Sequence, residues 1–570
     1  MIEILESRIA PAAVFYYTDV DGDHVKVSVT GTKTAAATLQ ADLTAAVEAG
    51  LTNYPSGAAV GKPHQLQTLV LGPAFAGGAL SITATPSTDL DAVGVTTKLG
   101  DGFVNVGEII AGTVVTGNIT STISLASVTV HGDLGQIVVG SSTATKGPGL
   151  GSLTVQSMGD FGTSTGANGT TSRFINGVTS IYVAHDVNGV ELRADVATSA
   201  TVPAATIGSV YIGGNLIGGS ASDTGEIAAA NGIGSVKILG SVIGGSATNT
   251  GRIATSSNVI GTKTYTGNLG AVSIGGDLVG GSGSNSGIII SSGTLGSVAI
   301  KGSVQGGSAS MTGSINGNSI GTVSIGGDLH GTSFDGTAAV AQTANIRAQL
   351  NLKSVTIGGS VISGANTGTG GIGYSGAIQA GQTLGPVKIA GSILGTATST
   401  VTISGTGLAS PTKVTQDLAI GSVTVGGSST YAVIEAGYGV NGATISGDAQ
   451  IGVVKIGGDF IASDIIAGVK TQTAGADFGT STDSLIATPA GDSADAIYAK
   501  IASITISGQI EGTVATGDSF GIEAQLIGPI SVGGLPLQLK TSVIAGRTLA
   551  DEYVSQTTGH DVHIREFSGT

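Results

Sequence analysis

The chain has 570 residues, of which 97 are glycine and only a tenth are charged, with 22 Lys and Arg against 37 Asp and Glu. An apolar content of 40% argues against disorder, glycine does not recur at every third position as collagen requires, and no apolar run approaches the ~18 residues of a membrane helix. A net charge of −15 argues against a nucleic-acid partner, and the absence of cysteine removes disulfides, iron–sulfur clusters, thiolate zinc sites and cysteine nucleophiles.

Residues 1–13 read as a short leading, targeting-like segment. The first seventeen residues carry Glu3, Glu6 and Arg8 and lack a 7–15-residue apolar core, so no ordinary signal peptide is visible and export would use another route. Residues 14–98 lack the repeat that dominates the rest and are expected to form a small β-rich domain. Val14–Thr18 and His24–Val29 alternate as strands do, and Leu39, Leu43 and Val47 share one face of a helix over Ala35–Glu48. Leu66–Leu71 and Ala79–Ala84 read as further strands. Such a domain would cap the first coil of a solenoid, whose end otherwise exposes unpaired backbone groups.

Between the first two strands lies Asp19-Val20-Asp21-Gly22-Asp23. Three carboxylates in five residues around a glycine turn suit a hard cation, so Asp19, Asp21 and Asp23 are candidate Ca²⁺ ligands. An EF-hand would place Glu at the twelfth loop position, which here is Thr30. The plainer alternative is a hairpin with an Asp-Gly turn. A bound ion would stiffen the domain rather than catalyse, and no other cofactor is required.

Residues 99–540 carry an internal repeat. The segment from Ile207 reads IGSVYIGGNLIGGSASDTGEI, and that from Ile233 reads IGSVKILGSVIGGSATNTGRI. Further copies start at Leu269, Leu295, Ile320, Leu352, Leu384, Ile420, Ile451, Ile501 and Ile527, with weaker ones at Leu125, Leu150 and Val178. Each S-V-x-I patch alternates as a half-buried strand does, and glycines break the run before a helix could form. One such unit cannot bury its apolar face alone, but stacked copies can. The expected fold is all-β: a single-stranded parallel β-helix of roughly 12–15 irregular coils. Val210, Val236, Val272, Val298 and Val323 should then form one buried stack, and Ile212, Ile238, Ile274, Ile300 and Ile325 another. The hexapeptide solenoid fails because Gly213 follows Ile207 after six residues, and the calcium-binding nonapeptide roll fails because the period is not nine.

One polar position recurs within the repeat, eight residues after the first aliphatic residue of most units: Asp133, Asp186, Asn215, Ser241, Asp277, Ser303, Asp328, Ser360, Ser392, Ser428 and Asp459. A ladder of carboxylates would bind cations, whereas a stack of turn caps would tolerate serine. The free exchange of Asp and Ser favours caps.

Residues 541–570 read as a C-terminal cap strand or tail: the charge of the run Asp561–Phe567 discourages edge-to-edge aggregation, and the run is expected to close the C-terminal end or to dock onto a partner. Signals for chemistry are sparse. Ser164 and Ser319 sit in G-x-S-x-G matches expected by chance in so glycine-rich a chain, and His560 with His563 resembles a solvated tail more than a metal pair. Asp223, Glu226 and Arg252 occupy neighbouring-repeat positions and form the mixed cluster to watch, since polysaccharide cleavage requires an acid and a base in one groove. Tyr182 and Tyr211 fall at matching positions and could stack sugar rings.

Leu5-Glu6-Ser7-Arg8-Ile9-Ala10-Pro11 resembles the Leu-Glu-x-Arg motif that opens many glycine-rich proteins, read as exported, of planctomycete- and verrucomicrobia-type bacteria. Tyr17–Asp23, Asp101–Gly107 and Val130–Gly135 look like elements that recur in them. The resemblance implies export and a surface location, with no established activity. The expected function is a noncatalytic extracellular or cell-surface protein with a structural or adhesive role and no catalytic residues. Its expected partners are extracellular polysaccharide or envelope and matrix components, with self-assembly through the solenoid ends. The alternative is a polysaccharide-binding or polysaccharide-cleaving β-helix.

Overall fold

The computed structural model describes residues 12–31, 36–52, 64–86, 100–115, 118–141, 147–160, 170–195, 205–260, 263–408, 417–472, 477–487, 497–515, 517–544, 546–554 and 561–568. The Leu5–Pro11 motif, Ser164 and His560 lie outside them. Among the described residues the fold is all-β with large, mostly parallel pairing, 54% strand and a single α-helix. No helix among the described residues is long and apolar enough to cross a membrane. The chain divides into two compact units, Met1–Gly270 and Ala271–Thr570.

The first unit opens with three antiparallel strands, Ala12–Thr18, His24–Thr30 and Ala79–Thr85, the middle one pairing with both others. The helix Ala36–Gly50 buries Leu39, Leu43 and Val47, the three residues its periodicity selects. Gln40 fastens it to the first strand: its amide accepts from the Val14 N–H at 3.0 Å and donates to the Val14 carbonyl at 2.8 Å. Ala79–Thr85 also pairs in parallel with Leu125–Val139, joining Leu80 to Val128 and Ile82 to Val130.

From there each repeat lays a strand beside its equivalent in the next. Val128, Leu153, Ile181, Val210 and Val236 stand in register, as do Val130, Val155, Val183, Ile212 and Ile238. All of them are buried. The second unit repeats the arrangement through Val298, Val323, Val355, Val387, Val423 and Val454. Two further ladders run alongside this first one. In the first unit they contain Val187, Leu216 and Val242, and then Leu192, Ile227 and Ile253. In the second unit they contain Val304, Leu329 and Val361, and then Ile346, Ile378, Ile403, Ile434 and Ile465. Apolar residues alternate along each strand, so one face of every ladder is core.

The Gly/Ser-rich connections have their own recurring lock. The hydroxyls of Thr224, Thr250, Ser286 and Thr312 each accept a glycine N–H five residues back, at 2.8–2.9 Å. Each also donates to a carbonyl three residues back, and all four side chains are buried. A buried hydroxyl satisfied in both roles stabilises a turn that composition alone would suggest is loose.

The C-terminal run is paired on both sides. Val562–Glu566 is not an edge strand: it pairs in parallel with Phe520–Ala524 and antiparallel with Arg547–Tyr553. Its charges are accommodated in local bonds. His563 Nε2 meets Asp551 Oδ1 at 2.8 Å, and Glu566 accepts from the N–H groups of Ile527 and Ala550.

Candidate functional site

The acidic turn at Asp19, Asp21 and Asp23 is assembled by the first hairpin. One oxygen from each carboxylate lies within 4.8 Å of the others. Asp19 Oδ1 accepts the N–H groups of Gly22 and Asp23 at 3.1 and 2.8 Å, which closes the turn. Asp23 Oδ2 accepts from Gly102 at 2.6 Å, and Asp21 Oδ2 from Asp101 at 3.4 Å, so a distant segment braces the cluster. Burial, together with a hydrogen bond to Asp21 and the neighbouring charges, pushes the Asp19 carboxyl up to about 8, while the bond from Asp19 holds Asp21 low. Three carboxylate oxygens this close repel one another when ionised, a repulsion that a proton or a cation relieves. The adjoining pocket of about 110 Å³ also receives Tyr17, whose buried hydroxyl has no partner among the described residues.

The recurring polar position is spent on the backbone. In the first unit Asp186 Oδ1 accepts the Asn215 N–H at 2.5 Å and Asn215 Oδ1 accepts the Ser241 N–H at 2.8 Å. In the second unit the same bond links Asp277 to Ser303, Ser303 to Asp328, Asp328 to Ser360, Ser360 to Ser392, Ser392 to Ser428 and Ser428 to Asp459, at 2.6–3.2 Å. Each side chain caps the next repeat, and Ser or Asp serves equally as acceptor. The preceding glycine is required: a Cβ on Gly214, Gly302 or Gly359 would collide with the acceptor of the repeat before it.

The mixed cluster named from sequence does assemble, and it is larger than expected. Thr171, Glu191, Glu226 and Arg252 stand in register on successive strands of the first unit's third ladder. Glu226 Oε1 faces Arg252 at 3.6 Å, and Asp223 accepts from Asn249 at 2.9 Å. Asp223 reaches this position through a left-handed backbone, φ 61°. Arg193 bridges Glu191 at 3.2 Å and Asp195 at 2.8 Å, and Arg173 adds a second ion pair to Asp195 at 2.7 Å. Asp223, Glu226, Arg193, Asp195 and Arg252 line a groove of about 250 Å³. Glu226 is only 4% exposed, and burial pushes its carboxyl up to about 7 against the pull of Arg252. A carboxyl poised near neutrality beside fixed cations can exchange a proton with a bound molecule.

Sequence reasoning missed Glu191, Asp195, Arg173 and Arg193. Glu226 and Arg252 both follow their repeat's first aliphatic residue by nineteen positions, but Glu191 follows Val178 by only thirteen. The connection is shorter there, so counting from the repeat start does not align them. Tyr182 and Tyr211 do stack, at 4.9 Å and 2° between ring planes, with the Lys237 ammonium 5.7 Å from the second ring. Ser319 lies inside the strand Ser314–Ile325 rather than on a strand-to-helix elbow. Both His563 ring nitrogens are engaged, by Asp551 and by the Gly479 carbonyl.

Comparison with protein-family models, with curated proteins and with solved structures found no match.

Proposed function

We propose that both units are built as single-stranded parallel β-helix and that the chain is a noncatalytic extracellular or cell-surface scaffold with an adhesive role. The observation that carries this reading is the side-chain ladder from Asp277 to Asp459. The recurring position most able to bind ligands is instead occupied in capping the next repeat. The flat Tyr182–Tyr211 stack, with Tyr182 45% exposed, supports adhesion because an aromatic face receives a sugar ring without reacting with it. Calcium at Asp19, Asp21 and Asp23 would be a weakly bound brace, since three side chains leave most of its 6–8 ligands to water and backbone. The surface location also rests on the resemblance of Leu5–Pro11 to the exported glycine-rich proteins.

A second reading has its own observation. The groove at Glu226 gathers carboxylates and guanidinium groups, as binding or cleavage of an acidic polysaccharide would require. Incubation with polygalacturonate, alginate and hyaluronate, read by new reducing ends and unsaturated products, separates the two. The scaffold reading expects neither product. Turnover that disappears in Glu226→Gln while folding is intact would replace it with the enzymatic one.

A further inference from the structure

The second unit's third ladder turns a row of polar side chains away from the core. Asn316, Arg347, Gln379, Ser404 and Glu435 are in register on successive strands, opposite in face to the Ile378, Ile403, Ile434 stack. An outward face is ordinarily wet, but this one is covered: Gln379 and Ser404 are fully buried. Neither amide atom of Gln379 has a hydrogen-bond partner among the described residues, and neither does Ser404 Oγ.

The last residue of the row, Glu435, lines a cavity of about 730 Å³, well within the ~300–1,000 Å³ of small-molecule sites. Glu435 and Asp464 stand on its floor on adjacent strands. Val433 is the register partner of Asp464, so Glu435 sits two residues further along on the same face. Strand spacing and rise put the two backbones ~8 Å apart. Among the described residues, the only trio of acidic or histidine side chains close enough to share a metal is Asp19, Asp21 and Asp23. Glu435 is 8% exposed, and no hydrogen bond from the protein reaches its carboxyl among the described residues. Asp464 commits one oxygen to the Gly521 N–H at 2.7 Å.

The walls are hydroxyl and aromatic: Thr398, Thr400, Thr402 and Thr444, with Tyr374 and Tyr438. Tyr438 is held by donating to the Val469 carbonyl at 2.8 Å and by an edge contact with Phe478. Tyr374 is placed by a left-handed backbone, φ 52°, a conformation that costs energy in a residue bearing a Cβ and recurs at ligand clamps. Against Glu435, Asp464 and Asp477 the lining holds one lysine, Lys470, so it offers an anionic guest no excess of cation.

We propose that this cavity binds a neutral oligosaccharide, with Glu435 and Asp464 engaging its hydroxyls and Tyr374 packing on a ring face. The proposal rests on the adhesive reading and deepens it by naming a ligand class. Burial pushes both carboxyls up to about 8, so each can donate as well as accept toward a hydroxyl.

The test is calorimetric titration of the full chain with cellohexaose, maltohexaose, xylohexaose and mannohexaose, with hexagalacturonate as the acidic comparison and reducing ends assayed on the same samples. At least one neutral hexasaccharide is expected to bind, with affinity reduced tenfold or more in Glu435→Ala and in Tyr374→Gly. The second variant removes the ring while suiting the left-handed backbone, so it reports on the site even if Glu435→Ala misfolds. Lys455→Ala, on the exposed face of the first ladder, is expected to bind as the parent does. No heat from any neutral hexasaccharide at millimolar concentration, binding of hexagalacturonate alone, or affinity unchanged in folded Glu435→Ala or Tyr374→Gly would overturn the proposal. Binding accompanied by new reducing ends would uphold the cavity's ligand class and overturn the noncatalytic reading.

Discussion

The first and third ladders of the second unit come from the same repeats, yet their outer faces differ. On the first ladder the outer residues, such as Thr356 and Lys388, are exposed, and the inner Val and Ile stacks are nearly uniform. On the third ladder the core stack is as regular, but the outer face carries Gln379, Ser404 and Glu435, all buried. Backbone pairing is indifferent to this contrast, since both are parallel and in register. A ladder with a wet outer face leaves its polar groups to solvent. One with a covered polar outer face holds unsatisfied groups that need water or a ligand.

The largest expected effect lies in the shared core. Ile357→Asp would bury an unpaired carboxylate at a fully buried position and is expected to cost roughly 4 kcal/mol or more, or to prevent folding. Urea unfolding followed by circular dichroism measures it. Lys388→Ala on the opposite face should change the midpoint little, which would sharpen the contrast between the faces.

The next effect is concentrated on the covered face, which gathers three such groups. Glu435 and Asp464 are raised from 4.5 and 3.8 to about 8, and Glu523 to about 9, each chiefly by burial. The folded state therefore holds more protons than the unfolded chain across that interval. Their stabilising contribution is complete below about pH 4 and is lost as pH rises to between 8 and 9. Stability is expected to fall by on the order of 1 kcal/mol per pH unit per group at most, and Glu435→Gln or Asp464→Asn should flatten the dependence. A urea midpoint constant from pH 5 to 8 would break the comparison.

A smaller effect is expected where one repeat caps the next. Asp328→Ala removes the acceptor for the Ser360 N–H and should cost about 1 kcal/mol. Asp328→Ser should recover most of it, because Ser303, Ser360 and Ser392 make the same bond. The smallest effect concerns calcium. Ten millimolar Ca²⁺ should raise the melting temperature of the parent slightly, by about 1 kcal/mol or less in stability, and should have no effect in Asp21→Asn. Melting unchanged by calcium or chelator would leave Asp19–Asp23 as a turn only.

The legible parts of the fold are those where one signal repeats. Val210 and Ile212 alternate with polar residues, and the same pair recurs at Val236 and Ile238, so register and burial followed from the text. Leu39, Leu43 and Val47 marked the helix for the same reason. In the candidate groove Glu226 and Arg252 were visible because two consecutive repeats are nearly identical. Glu191 was hidden by a shorter connection, and Glu435 and Asp464 by connections whose lengths change from repeat to repeat. The charge of Asp561–Phe567 marked a closing strand but not the strands it pairs with. Its partners lie in Phe520–Ala524 and Arg547–Tyr553, a closure that no local pattern encodes.

The central claim is that each repeat sets its strand in parallel register beside the next. The chain has no cysteine, so engineered pairs test this directly. Thr356 and Lys388 are register partners on the exposed face of the first ladder, and a ~4.8 Å strand spacing lies within disulfide reach. Thr356→Cys with Lys388→Cys, oxidised mildly and mapped by mass spectrometry, is expected to form an intrachain disulfide in folded protein. Thr356→Cys with Lys455→Cys, three rungs apart, is expected to form none. No bridge in the first pair, or equal bridging in both, would contradict the parallel stacking of repeats.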